Sequence, residues 1–172
     1  MNGLPELPFR FCPACGSSRL NRPESNAVGC MVCGFIFFIN MAAAVAAVIR
    51  DEKRRILLTR RLKDPAKGLW DLPGGFVNPG ESAENALMRE IKEELNLEIS
   101  RAFYMGSTPG TYRFADVDYR VLNLIFACTP KDLNGMRVGD DVAEITFLSP
   151  SEIDFEQIGL ASIKSVLRLL QH

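Results

Sequence analysis

Cysteine placement constrains this chain before anything else does. Cys12-Pro-Ala-Cys15-Gly16 and Cys30-Met-Val-Cys33-Gly34 are two copies of one unit, Cys-x-x-Cys-Gly, with fourteen residues between Cys15 and Cys30. Two thiolates so spaced on a tight turn point at one centre. Two such turns supply four ligands, the tetrahedral set that zinc prefers. A glycine after each pair lets the chain turn back beneath the metal and bring backbone N–H groups toward sulfur. Disulfide or thioredoxin-like redox chemistry is the alternative; a lone Cys-x-x-Cys leaves it open, and the duplication disfavours it. With all four positions filled by protein, such a zinc holds structure and activates no water. Cys128 lies in the apolar stretch 121–128 and reads as a small buried hydrophobe.

Beyond the cysteines, 172 residues predict about one domain with a small appendage. A chain that is 47% hydrophobic and 24% charged is not disordered by composition. Net charge is -1, so no global basic field draws it to nucleic acid or an anionic membrane. Its single histidine is the terminal His172, which nearly excludes Ser-His and Cys-His catalysis. Carboxylates, thiolates or a metal must carry any chemistry. The first eight residues have neither a basic nor an apolar leader pattern, and a cytoplasmic location is the expectation. Residues 31–49 approach a membrane-spanning length with Asn40 the one clearly polar member. A ribbon strand followed by a strand buried on both faces fits them better, so no membrane is expected.

Residues 1–38 read as a zinc ribbon and 39–172 as a second domain. In the latter, 41–49 reads as a strand, with 56–60 returning as its hairpin partner. A loop rich in glycine and proline covers 63–79. Ser82 opens a helix to about Leu95, with Ala83, Leu87, Ile91 and Leu95 recurring every four residues. Strands are expected at 101–105, 119–128 and 143–148, a helix beginning at Ser149-Pro150, and a final helix over 159–170. Mixed strands and helices predict an α/β or α+β sandwich.

The chemistry concentrates on the first of these helices, in Arg89-Glu90-Ile91-Lys92-Glu93-Glu94. At about 100° per residue, with Glu90 at zero, Glu94 falls at about +40° and Glu93 at about −60°. Three carboxylates thus share one arc beside the apolar stripe of Leu87, Ile91 and Leu95. Like charges that close repel, and burial aggravates the repulsion. A hard divalent cation, Mg²⁺ or Mn²⁺, relieves it and keeps positions for water and phosphate. Arg89, one turn before Glu93, is placed to orient that carboxylate or to touch a phosphate. An acid-rich helix is commonly just a solvated, salt-bridged one. The preceding Gly74-Gly75 changes the weighing, because a carbonyl in such a turn can reach the same metal.

Gly75, Glu81, Arg89, Glu90, Ile91, Glu93, Glu94 and Leu97 stand in the register of Gly-x5-Glu-x7-Arg-Glu-U-x-Glu-Glu-x-Gly-U, with U aliphatic. The segment resembles the Nudix box. With six fixed residue types at roughly 6% each, a chance match is on the order of 10⁻⁵. Asn96 departs from the pattern where a glycine is usual; asparagine is the next-best residue for a left-handed turn, so the turn should survive. The resemblance covers about residues 40–172 and implies an α/β/α sandwich with a mixed sheet that hydrolyses a nucleoside diphosphate linked to another group. It implies Glu90, Glu93, Glu94 and the Gly75 carbonyl as Mg²⁺ ligands. Glu93 is the candidate base, with Glu144, Asp140 or Asp141 as later-loop alternatives. Glu81 and Arg89 would brace loop and helix.

A zinc ribbon ahead of such a domain is similar to the NADH pyrophosphatase branch. Ser107-Thr-Pro-Gly-Thr-Tyr-Arg-Phe114 keeps only Ser107 and Pro109 of that branch's motif, so ADP-ribose or a nucleotide sugar stands beside NAD(H) as expected substrate. Arg60, Trp70, Phe76 and Tyr112 are candidate substrate-binding residues, with Phe114, Tyr119, Arg61 and Lys63 nearby candidates. The resemblance carries a homodimer among its expectations, and RNA-cap removal by the same site is a variant of substrate. The competing reading is a ribbon that binds nucleic acid or protein, with the Nudix domain as a nucleotide sensor. Three arginines in the ribbon support nucleic-acid binding weakly.

Overall fold

The computed structural model describes residues 9–139 and 141–171; the expectations at residues 1–8, Asp140 and His172 lie outside them. The chain divides between Met41 and Ala42 into two compact units. In the first, β1 (Leu20–Asn21), β2 (Ala27–Cys30) and β3 (Ile36–Phe38) form an antiparallel sheet in the order β1-β2-β3. Its buried residues are few, namely Cys12, Ala27, Val28 and Cys30 among the hydrophobic ones, while β3 is exposed throughout.

The second unit is a mixed α/β/α sandwich. Its elements are β4 (Ala42–Ile49), β5 (Ile56–Arg61), β6 (Trp70–Asp71), β7 (Gly74–Phe76), α1 (Ala83–Leu95), β8 (Ile99–Phe114), β9 (Val117–Pro130), β10 (Val142–Leu148) and α2 (Ala161–Leu169). One sheet runs β7-β4-β9-β8, with β4 and β9 parallel and the other pairs antiparallel; a second runs β10-β5-β6. The alanines and valines of β4 are what a strand covered on both faces needs. Val45, Ala47 and Ile49 pack against Ala86, Leu87, Ile91 and Leu95 of α1. The alternate residues Ala46 and Val48 join Ile163, Val166 and Leu167 of α2 on the opposite face. The apolar run that suggested a membrane is therefore a ribbon strand and a core strand. Among the described residues no helix is long and apolar enough to cross a membrane.

Three local expectations are corrected. β5 shares with the chain leaving β4 only the isolated bridge Arg50↔Ile56, then pairs with β10 and β6, so 41–49 and 56–60 are not a paired hairpin. β8 does not stop at Met105. It passes Gly106 with a register shift and continues through Pro109, which an outer strand tolerates. The chain after Ser149 makes only a 3-10 turn, Pro150–Glu152, because Ile153 leaves it in extended conformation to bury its side chain. Ser82, by contrast, caps α1 by accepting from the Asn85 N–H. Asn96 sits in the left-handed region at φ 55°, as expected for the glycine's substitute.

Candidate active site and metal centre

In the first unit the four Sγ atoms of Cys12, Cys15, Cys30 and Cys33 lie within 4.8 Å of one another. Cys12 and Cys33 are 3.7 Å apart, Cys15 and Cys30 3.6 Å. A bonded disulfide needs about 2.05 Å. A tetrahedron with Zn–S bonds of about 2.3 Å has edges of about 3.8 Å, so the donor set fits zinc. Gly16 and Gly34 take φ 73° and 75°, and their N–H groups donate to the carbonyls of Cys12 and Cys30, closing each turn. Cys128 is in the core of the second unit, where burial pushes its thiol up to about 12.

In the second unit, β7 brings the glycine turn onto the acidic edge of α1. Gly74 N–H donates to Glu94 Oε2 at 2.9 Å. A Cβ on Gly75 would stand 2.5 Å from the Glu90 carboxylate, so only glycine admits that acid here. Glu93 is more open, its side chain 60% exposed. Burial first, then the charges of Glu90 and Asp71, push Glu94 up to about 8 against the Gly74 N–H and Arg61. A divalent cation among these oxygens would remove the repulsion, so the donor set fits one.

Arg89 spends all five of its N–H donors inside the protein. Nε and Nη2 grip Glu81 at 3.0 and 2.9 Å; Nη1 donates to Glu90 at 2.7 Å and Glu93 at 3.2 Å; Nη2 also donates to the Phe76 carbonyl at 3.0 Å. The hydrogen bonds to Glu81 and Glu90 raise its affinity for the proton further, and it braces loop to helix. The same grip holds Glu81 below the usual carboxylate range.

Beside this cluster a cleft opens to solvent. Gly74 and Gly75 form one margin, Phe76 and Tyr112 an edge-to-face pair at 5.2 Å, and Ala44, Ala46, Val121 and Ile163 much of the wall. Arg61 donates to buried Asp71 at 2.8 Å and to the Pro65 carbonyl, with Tyr112 5.9 Å away. Arg60 and Trp70 are elsewhere: Arg60 stacks over Trp70 at 4.3 Å, donates to the Gly68 carbonyl, and its Nε lies 2.8 Å from Glu144. Neither lines the cleft. Lys63 pairs with Asp141. Sequence reasoning missed Asp71, Asn123 and Ser162 in the cleft; a polar residue inside an apolar strand or helix face, as at Asn123, was the signal available.

Comparison with known proteins matches residues 40–169 to the model of the NUDIX domain. An ADP-ribose pyrophosphatase of Methanocaldococcus jannaschii is 39% identical over 114 residues, which cover 64% of this chain and 63% of that one. A NAD-capped RNA hydrolase, NudC, of Pseudomonas fluorescens is 33% identical over 99 residues, covering 57% of this chain and 35% of the relative. The matched region thus spans less than two thirds of either relative. A solved Nudix hydrolase structure from Nitrosomonas europaea shares the fold, with TM-score 0.65 and 23% identity over 93% of this chain and 89% of that one.

Proposed function

The chain belongs to the Nudix family, and on that premise we propose that it is a divalent-metal-dependent pyrophosphohydrolase. Its substrate is a nucleoside diphosphate linked to another group, of the ADP-ribose, NAD(H) or nucleotide-sugar type. The products are a nucleoside monophosphate and a phosphorylated remainder. Residues 1–38 serve as a structural zinc ribbon and 39–172 as the hydrolase domain. One observation carries the reading: Glu90 and Glu94 are packed against Gly74-Gly75 at the margin of an open cleft. The two relatives support the substrate class, since ADP-ribose and a NAD cap both contain an adenosine diphosphate unit.

Glu90, Glu93, Glu94 and the Gly75 carbonyl would hold Mg²⁺ or Mn²⁺. When bound, the cation supplies charge neutralisation at the diphosphate and acidifies water. The rest falls to this chain's own groups. Arg89 keeps Glu90 and Glu93 aimed, and so acts as a positioning residue for the hydrolysis. Glu93, the most open acid of the helix cluster, is the candidate to take the proton from attacking water, with Glu144 the alternative. Phe76 and Tyr112 flank the bound nucleotide.

The test is incubation of the zinc-loaded protein with Mg²⁺ and a panel of ADP-ribose, NADH, NAD⁺, nucleotide sugars and nucleoside triphosphates, read by mass spectrometry. EDTA-sensitive release of a nucleoside monophosphate from a diphosphate-linked member is expected, falling at least 100-fold in Glu94→Gln. Turnover by Glu94→Gln at the wild-type rate would overturn the metal assignment.

A further inference from the structure

The cleft holds more polar chemistry than the acidic cluster uses. Asn123 on β9 and Ser162 on α2 both line it, and each is only 8% exposed. Asn123 Nδ2 donates to the Thr108 carbonyl at 3.3 Å, and Thr108 is the one hydrogen-bond partner of that side chain among the described residues. That bond decides which end of the carboxamide is which, since only the nitrogen can donate to a carbonyl. The Oδ1 acceptor and the second Nδ2 proton remain for a ligand. The Ser162 hydroxyl makes no hydrogen bond among the described residues.

These groups converge on Gly110. A Cβ there would stand 3.1 Å from both Asn123 Nδ2 and Ser162 Oγ, so the missing side chain keeps their approach open. Around them the wall is small and apolar. The two charged residues of the cleft, Arg61 and Asp71, are paired with each other at 2.8 Å. An unspent donor and acceptor side by side on largely buried residues in such a wall suits an uncharged ring with the complementary edge. Adenine has one: an amino donor beside a ring-nitrogen acceptor, the pair a carboxamide meets with two hydrogen bonds. Hypoxanthine reverses the order on one edge and offers two acceptors on the other. A carboxamide anchored on Thr108 does not turn over to match it.

We propose that this cleft is the base-recognition site and that Asn123, assisted by Ser162 over the bare backbone of Gly110, selects adenine. The inference rests on the hydrolase reading above and names the base that the site takes.

The experiment compares ADP-ribose with its hypoxanthine counterpart, inosine diphosphate ribose, on the zinc-loaded full chain, its Asn123→Leu variant and its Gly110→Ala variant. Binding of AMP and IMP is titrated by calorimetry in parallel. Wild type should favour ADP-ribose through KM by about tenfold or more. Asn123→Leu should raise KM for ADP-ribose about 10- to 100-fold with kcat within about threefold, and erase the preference. Gly110→Ala sets a Cβ 3.1 Å from Asn123 Nδ2 and Ser162 Oγ and should do the same by crowding the base edge; it decides the matter if Asn123→Leu fails to fold. Equal KM values in wild type, or variants that lose kcat with KM unmoved, overturn the assignment. If wild type hydrolyses neither compound, its substrate lies elsewhere in the diphosphate-linked panel and the titrations decide this inference. AMP binding over IMP that is lost in Gly110→Ala upholds it; equal binding overturns it.

Discussion

Arg89 is the residue on which the acidic edge of α1 depends. It answers Glu81, Glu90, Glu93 and the Phe76 carbonyl at once, a fork that a lysine ammonium does not reproduce. Under the proposed metal assignment, Arg89→Lys should therefore lower kcat about 10- to 100-fold while KM moves little, since the acids it orients would be the metal ligands. Steady-state kinetics read that split. Glu81 offers a second check, through pH. Its carboxyl is held below the usual range by Arg89, so its contribution to stability is full above the ordinary value of about 4.3. That contribution is lost as pH falls through the lowered native value. Denaturant titrations should show Glu81→Gln less stable than wild type near neutrality, with the gap closing in acid. The box spacing made Arg89 and its acids legible. Spacing said nothing of Arg60 and Trp70, whose stack beside Glu144 depends on the pairing of β5 with β6 and β10.

At the scale of elements, α1 is secured at both ends. Ser82 caps its start, and the Asn96 and Leu97 N–H groups return to the Lys92 and Ile91 carbonyls at its end. Asn96 also donates from Nδ2 to the Gly135 carbonyl at 3.1 Å. Asn96→Ala should destabilise the second unit by about 1–2 kcal/mol in chemical denaturation, because alanine resists the left-handed region. Asn96→Gly should cost less. The loop after β9 completes the end of α1: the Arg137 and Gly139 N–H groups donate to the Leu95 and Glu94 carbonyls. A side chain on Gly139 would strike the Glu93 carbonyl, so Gly139→Ala should disturb the very turn that bears Glu93 and Glu94. Nothing in the local sequence marked this glycine. Its constraint comes from an element more than forty positions earlier in the chain.

On the scale of the whole molecule, the two units differ in what holds them. The first buries only a few apolar side chains around its four cysteines, and chains of about 40 residues seldom fold without a staple. The second has cores on both faces of β4. A strong chelator should therefore abolish amide protection in the first unit, Gly16 and Gly34 included, and leave that of β4, β9 and α1 intact. Trp70, the chain's one tryptophan, lies in the second unit and should keep its native emission during that treatment. Hydrogen exchange read beside fluorescence distinguishes this from a single cooperative loss. One bound zinc per chain is the matching stoichiometry.

What the sequence determined by itself was whatever is local or periodic. Two cysteine turns, a capped amphipathic helix, a left-handed asparagine and three acids on one arc are set by neighbours within a few positions. What only the tertiary structure decided was the meeting of distant parts. It parted β5 from β4 and carried β8 through Gly106 and Pro109 as an outer strand. It also gathered Asp71, Gly110, Asn123 and Ser162 around one cleft. These residues come from four separate elements, and no spacing rule joins them. Sheet pairing and the packing of α2 do, because each strand and helix must bury its apolar face on another.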